Sequence, residues 1–206
     1  MLKIQKMTLG SFMTNVYFII DEASRDCFIV DPADRCDLIL EKVRSQGLAV
    51  KGILLTHAHF DHIMALEELR EATGAPVMLC EQENALLCNS DDNLLNSYGD
   101  GSSCRPGDRL LREGDAVRLG DTDIKVMLLP GHTPGSCAYI FDGNMISGDT
   151  IFREGIGRYD FPGGDYAKLR ASLSRIAALD ADYRIYPGHG PSTTLNYEKQ
   201  NNIYLI

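Results

Sequence analysis

The five histidines of this 206-residue chain fall in three short motifs far apart in sequence. Any fold that uses them together must bring three distant segments to one place. The motifs are Thr56-His57-Ala58-His59-Phe60-Asp61-His62, Pro130-Gly131-His132-Thr133-Pro134-Gly135 and Pro187-Gly188-His189-Gly190. No histidine is left for other duty. Adding Asp61 and the Asp149 of Ser147-Gly148-Asp149-Thr150 gives seven nitrogen and carboxylate donors. That is enough for two metal ions with positions left open for water and substrate. One lone histidine in such a setting would read as a cap or a core residue. Five of five in short motifs that carry Gly, Pro, Thr or Asp read as ligands.

The donor chemistry narrows the metal. Imidazole with carboxylate suits Zn, Fe, Mn or Co better than Cu(I) or an all-oxygen calcium site. In an extended stretch, side chains at i and i+2 point the same way, so His57 and His59 can chelate one ion. A turn after Phe60 would swing Asp61 and His62 toward a second.

With 44% hydrophobic residues the chain can bury a sizeable core as one domain over residues 1–206. Its net charge of −9 argues against a nucleic-acid partner, which needs basic patches. The six cysteines (Cys27, Cys36, Cys80, Cys88, Cys104, Cys137) form no C-x-x-C pair. They read as reduced core or surface thiols of a cytoplasmic protein, with a single disulfide as the alternative. No segment is long enough to span a membrane. Lys3 and Lys6 precede an apolar stretch, but Thr8, Gly10, Ser11, Thr14 and Asn15 interrupt it, so it reads as two strands rather than a signal peptide.

Along the first half, strands are expected at 2–9, 15–21, 26–31, 50–55 and 76–79, and helices at 36–46 and 63–72. The polar run from Asn89 to Asp108 reads as a loop, either a lid or simply solvated. In the second half, strands are expected at 115–119, 122–129, 136–141, 143–147 and near 183–186, with helices near 165–178 and 195–203. The pattern predicts an α/β chain, two sheets face to face with helices outside. All three histidine motifs and Asp149 follow strand ends, which places a site at one edge of the sheets.

The segment His57-Ala58-His59-Phe60-Asp61-His62 resembles the H-x-H-x-D-H signature of the metallo-β-lactamase superfamily, and His132, Asp149 and His189 match its remaining ligand positions in order. The resemblance covers essentially the whole chain, including the Val30-Asp31-Pro32 turn. It implies the αββα sandwich of that family, two mixed sheets with helices outside. It also implies that His57, His59 and His132 hold one metal, that Asp61, His62 and His189 hold a second, and that Asp149 bridges them. Zinc is the first expectation, with iron or a mixed pair as alternatives. Antibiotic-hydrolysing members typically lack a bridging Asp, so penicillin hydrolysis is not expected. The segments Gly148-Asp149-Thr150-Ile151-Phe152 and Gly155-Ile156-Gly157-Arg158 look like the glyoxalase II and persulfide dioxygenase branch. Glyoxalase II carries a further C-terminal helical region, and this sequence runs to Ile206 without it. The elements Arg158-Tyr159-Asp160-Phe161 and Pro187-Gly188-His189-Gly190-Pro191 are closer to short single-domain glyoxalase-like hydrolases.

The expected chemistry is attack of a metal-bridging hydroxide on a small acyl thioester, with Asp61 binding metal and orienting the hydroxide. Asp31 and Thr56 are candidates to fix imidazole tautomers, or else a turn-forming Asp and a strand-end Thr. Arg158 would face an anionic substrate group or form a structural ion pair. Tyr159 and Phe161 would wall the pocket or pack. Two other functions stay open: a mononuclear iron dioxygenase on His57, His132 and Asp149, and a non-catalytic metal-binding protein.

Overall fold

Alternation along the strands sorts side chains into separate cores. In β2 (Thr14–Asp21) every residue is buried. Val16, Phe18 and Ile20 face one apolar cluster while Tyr17 and Ile19 face another. The preceding β1 (Leu2–Leu9) pairs antiparallel with it, as does β3 (Asp26–Val30), which alternates in the same way. A strand buried on both faces must sit between two layers. The computed structural model describes residues 1–99 and 101–205.

After α1 (Cys36–Ser45) come β4 (Ala49–Leu54), α2 (Phe60–Ile63), α3 (Leu66–Thr73) and β5 (Val77–Cys80). Then follow α4 (Asn84–Leu87), α5 (Leu95–Tyr98) and β6 (Arg109–Leu111). The first sheet runs β1 to β6 in sequence order, antiparallel to β3 and parallel beyond it. The second half gives β7 (Ala116–Leu119), β8 (Thr122–Leu128), β9 (Cys137–Phe141), β10 (Asn144–Gly148), a hairpin of β11 (Ile151–Phe152) and β12 (Gly155–Ile156), α6 (Tyr166–Ala177), β13 (Arg184–Pro187), β14 (Thr193–Thr194) and α7 (Leu195–Asn201). The second sheet is ordered β14-β13-β10-β9-β8-β7, with β10 and β13 parallel.

Three apolar layers hold the sandwich together. Tyr17, Ile19, Val30 and Leu54 of the first sheet meet Val126, Tyr139 and Ile146 of the second. Ile39, Leu66 and Leu69 from α1 and α3 cover the outer face of the first sheet. Leu169, Leu173 and Ile176, on one face of α6, cover the second with Leu195. Each such buried side chain contributes roughly 1.5–3 kcal/mol. The αββα arrangement expected from the sequence is the one observed. Among the described residues no helix is long and apolar enough to cross a membrane.

The structure corrects two expectations. The 63–72 helix is two pieces, broken at Met64 and Ala65, where the Ala65 N–H donates to Pro32 O at 3.0 Å. The 89–108 run, in which Asp100 lies outside the described residues, is not a plain solvated loop. It contains α5, and it buries Asn93, Leu94, Leu95 and Cys104. The hairpin β11–β12 and the short strands β6 and β14 have no counterpart in the expected pattern.

Candidate metal centre

The end of β4 delivers Thr56 to His62 and abuts the second sheet. The Cys137 N–H donates to Thr56 O (2.9 Å) and the Tyr139 hydroxyl to Leu55 O (2.8 Å). The backbone is still extended at His59, then turns into α2. His57 and His59 therefore point the same way, and Asp61 and His62 swing past them. His132 arrives from the loop between β8 and β9, Asp149 from the end of β10 and His189 from the end of β13.

The seven donors form two adjoining groups. In the first, His132 Nε2 lies 3.2 Å from His57 Nε2 and 2.9 Å from His59 Nδ1. In the second, His189 Nε2 lies 3.1 Å from Asp61 Oδ2, and His62 Nε2 lies 3.7 Å from the same oxygen. Asp149 touches both: its Oδ2 is 3.8 Å from His132 Nε2 and 3.5 Å from His189 Nε2, and its Oδ1 is 3.4 Å from His62 Nε2. Each triad brings its ligand atoms within 4.8 Å of one another and could hold a metal ion. Gly188 is what lets Asp149 and His62 come so near the His189 loop, since a Cβ there would overlap Asp149 Oδ1.

Most of the imidazoles have their outer nitrogen fixed. His132 Nδ1–H donates to Arg158 O (2.6 Å), His62 Nδ1–H to Asp31 Oδ2 (3.0 Å) and His189 Nδ1–H to Phe12 O (3.1 Å). The Thr56 hydroxyl donates to Asp31 Oδ2 (2.6 Å), so its oxygen accepts from His57 Nδ1 at 3.2 Å. Asp31 also accepts the Thr56 N–H at 2.7 Å. It holds this position with φ 52°, the left-handed region that a non-glycine residue adopts only when its surroundings demand it. Locking one nitrogen leaves the other as a lone pair aimed inward.

The two groups differ in charge. Burial drives the His57 and His132 imidazoles below their ordinary value and His59 down to about 3. Burial opposes charge on His62 and His189 as well, but there the carboxylates win. Asp61 and Asp149 hold His62 well above its ordinary value and His189 up to about 9. Burial would raise Asp61 and Asp149, yet the same imidazoles keep both carboxyls below the usual range.

Three supports escape sequence reasoning. Glu83, buried beyond the end of β5, accepts the Ala58 N–H (2.8 Å), the Thr133 hydroxyl (2.9 Å) and the Gly135 N–H (2.7 Å). It ties the His57–His59 segment to the His132 loop. Burial raises its carboxyl to about 7 against those donors. Thr14 donates its hydroxyl to Asp61 Oδ2 (3.0 Å), and Asn15 Nδ2 donates to Pro187 O and Gly190 O, both 2.9 Å, on either side of His189. The available signal was slight: an acid just past a buried strand, and two polar residues opening another.

A cavity of about 270 Å³ opens above the donors. His59, Asp61, His132, Asp149 and His189 line it together with Phe12, Phe60, Tyr98, Arg158 and Phe161. Arg158 lines the cavity and forms the structural ion pair, bidentate with Asp160 at 2.8 and 2.9 Å. Phe161 is a wall residue. Tyr159, expected to bind substrate, is not among the lining residues; its ring packs on Tyr166 at 4.7 Å.

Known proteins share this architecture over the full chain. A probable metallo-hydrolase, YqgX of Bacillus subtilis, is 35% identical over 99% of this chain and 98% of its own. The hydroxyacylglutathione hydrolase GloC of Haemophilus influenzae is 30% identical, with the same coverage. Among solved structures, the B3 metallo-β-lactamase BLEG-1 superposes with a TM-score of 0.91 at 32% identity, covering 98% of this chain and 99% of that one. The di-iron form of TTHA1623 gives 0.86 at 38% identity, covering 98% and 100%. The family model for the metallo-beta-lactamase superfamily matches residues 9–189, and the chain, a metallo-hydrolase by its relatives, belongs to that superfamily.

Proposed function

We propose that this metallo-hydrolase cleaves small acyl thioesters with the help of two divalent metal ions, zinc first, iron or a mixed pair as alternatives. The observation that carries the reading is Asp149, whose carboxylate faces both donor groups at once. The residues fit such ions: the donor set is imidazole and carboxylate, and the buried His62 Nε2 and Asp149 Oδ1 have no hydrogen-bond partner. His57, His59 and His132 would hold one ion, Asp61, His62 and His189 the other, and Asp149 would serve both. Two such ions supply a water acidic near neutrality (pKa ~7 with zinc) and polarise the substrate carbonyl.

The chain does the rest. Asp61, steadied by Thr14, would orient the attacking water. Asp31, Thr56 and the Arg158 carbonyl keep His62, His57 and His132 in the tautomers that face inward. A thiolate leaves without needing a proton, so no separate general acid is required. The name of the GloC relative supports the thioester class, and six cysteines outside any disulfide suit a reducing cytoplasm.

A mononuclear iron dioxygenase on His57, His132 and Asp149 is the second reading. One observation favours it: the Asp61, His62 and His189 group neutralises its own charges internally. The deciding experiment is metal analysis of protein purified without added metal, paired with cleavage of a series of small acyl thioesters in which S-lactoylglutathione is expected to be a weak substrate. A β-lactam and glutathione persulfide serve as alternative substrates. About two ions per chain with thioester cleavage is the expected result. A reproducible single iron, oxygen uptake with the persulfide and no thioester cleavage would overturn it.

A further inference from the structure

We infer that the cleft above the metal centre selects an uncharged substrate carrying a flat apolar group, such as an aryl acyl or aryl thiol moiety, rather than an anionic peptide carrier. The inference rests on the thioester reading only for which bond is cleaved. Phe60, fixed between His59 and Asp61, carries a ring on either side: Phe12 meets it edge-on at 4.7 Å, and Tyr98 stacks on it at 5.3 Å with the planes 29° apart. Phe60 itself is buried, yet Phe12 and Tyr98 are 43% and 56% exposed at the mouth. Large rings left open beside a polar floor offer apolar and stacking surface to whatever enters. The facing wall is Phe161, set edge-on to His59 at 5.5 Å and capped by the Arg158 guanidinium 3.4 Å from its ring centre.

Charge points the same way. Arg158 is the one Lys or Arg among the described lining residues, and both of its outer contacts go to Asp160. A carboxylate-bearing carrier would compete with Asp160 for this guanidinium, whose charge Asp160 already offsets. The chain's net charge of −9 also repels an anion on approach. A neutral aryl group meets neither obstacle and gains ring contacts on both walls.

The test is calorimetric binding to the full-length protein as purified, using thioethers that cannot be cleaved. S-benzyl-N-acetylcysteamine should bind about tenfold more tightly than its S-methyl counterpart and more tightly than S-benzylglutathione. The Phe12→Ala, Tyr98→Ala double variant should lose that preference. Both rings are exposed, and Phe12 holds His189 through its backbone, so metal content and thermal midpoint verify that the variant folds. Hydrolysis of benzoyl and acetyl N-acetylcysteamine thioesters gives a second readout, in which the benzoyl-to-acetyl ratio of kcat/KM should fall about tenfold in the variant. Equal affinity for benzyl and methyl thioethers, or tighter binding of the glutathione thioether, overturns the inference. If the benzyl thioether binds as expected but no thioester is cleaved, the thioester reading fails and this one stands. If thioesters are cleaved with no benzyl preference, the reverse holds.

Discussion

The His57, His59 and His132 group and the Asp61, His62 and His189 group are built from similar side chains and share Asp149, yet burial keeps the first uncharged while the second holds its charges in pairs. The first is dry and neutral, with His59 carried down to about 3 by burial. The second is an imidazolium–carboxylate cluster, with His189 at about 9 and 29% of its side chain exposed. The lesson is that ligand identity alone does not set readiness for a cation. Neutral nitrogens are free to bind, whereas nitrogens paired to carboxylates must first release protons.

Removing the shared carboxylate should have the largest effect. Asp149→Ala leaves two cations with less negative charge between them, so thioester turnover should drop at least about a hundredfold, equivalent to ~2.7 kcal/mol of barrier. Metal content should drop with it while the fold survives. Turnover together with metal stoichiometry checks this, and near-normal values for both would remove Asp149 from its assigned place.

Proton competition should then separate the groups. Below pH 9 an ion entering the second group must displace at least the His189 proton. Its affinity should therefore fall at least about tenfold per pH unit as pH drops from 9 toward 6.5, and more steeply where His62 also gives up its proton. The first ion meets imidazoles already stripped by burial and should bind almost independently of pH in that window. Calorimetric titration of apo-protein at several pH values reads both, and parallel slopes would erase the distinction.

Glu83→Gln probes the first group alone. An amide cannot accept from all three donors, and leaving buried donors unpaired costs about 1–3 kcal/mol. The pH dependence has a definite sign. The folded carboxyl is raised from 4.5 to about 7, so it binds its proton more tightly folded than unfolded. Its contribution to stability is complete below pH 4.5 and is lost as pH rises through about 7. Urea midpoints of the metal-free protein measured across that range should show a shallower decline in the variant. The smallest effect is expected from Asp160→Asn. The pair is exposed and His132 is held by the Arg158 backbone, so the thermal midpoint should barely move and metal content should stay unaltered.

The donors were legible because histidine is scarce and its motifs are rich in turn formers; the strands were legible as short apolar runs such as Val16 to Ile20. Glu83 was not legible, being one of 29 acids with no motif around it, and its role exists only once Ala58 and Gly135 come together. Thr14 escaped for the same reason. The break at Met64–Ala65 was hidden because Ile63, Leu66 and Leu69 keep helical spacing across it, while the Pro32 carbonyl that captures Ala65 lies in another segment. Polar composition at 89–108 concealed Asn93 to Leu95, whose burial is decided by packing rather than by local preference. Tyr159 was placed by its neighbours in sequence, but its ring turns toward α6.

His57 belongs to the first half of the chain and His132 to the second, 75 residues on, and Cys137 and Tyr139 already button the two sheets together beneath them. An ion seated across these residues is therefore a removable crosslink closing a long loop, comparable in effect to a disulfide but set by cation supply rather than by oxidation. The resistance of this chain to unfolding should rise and fall with the metal available to it, so scarcity would silence the enzyme and mark it for turnover at the same time.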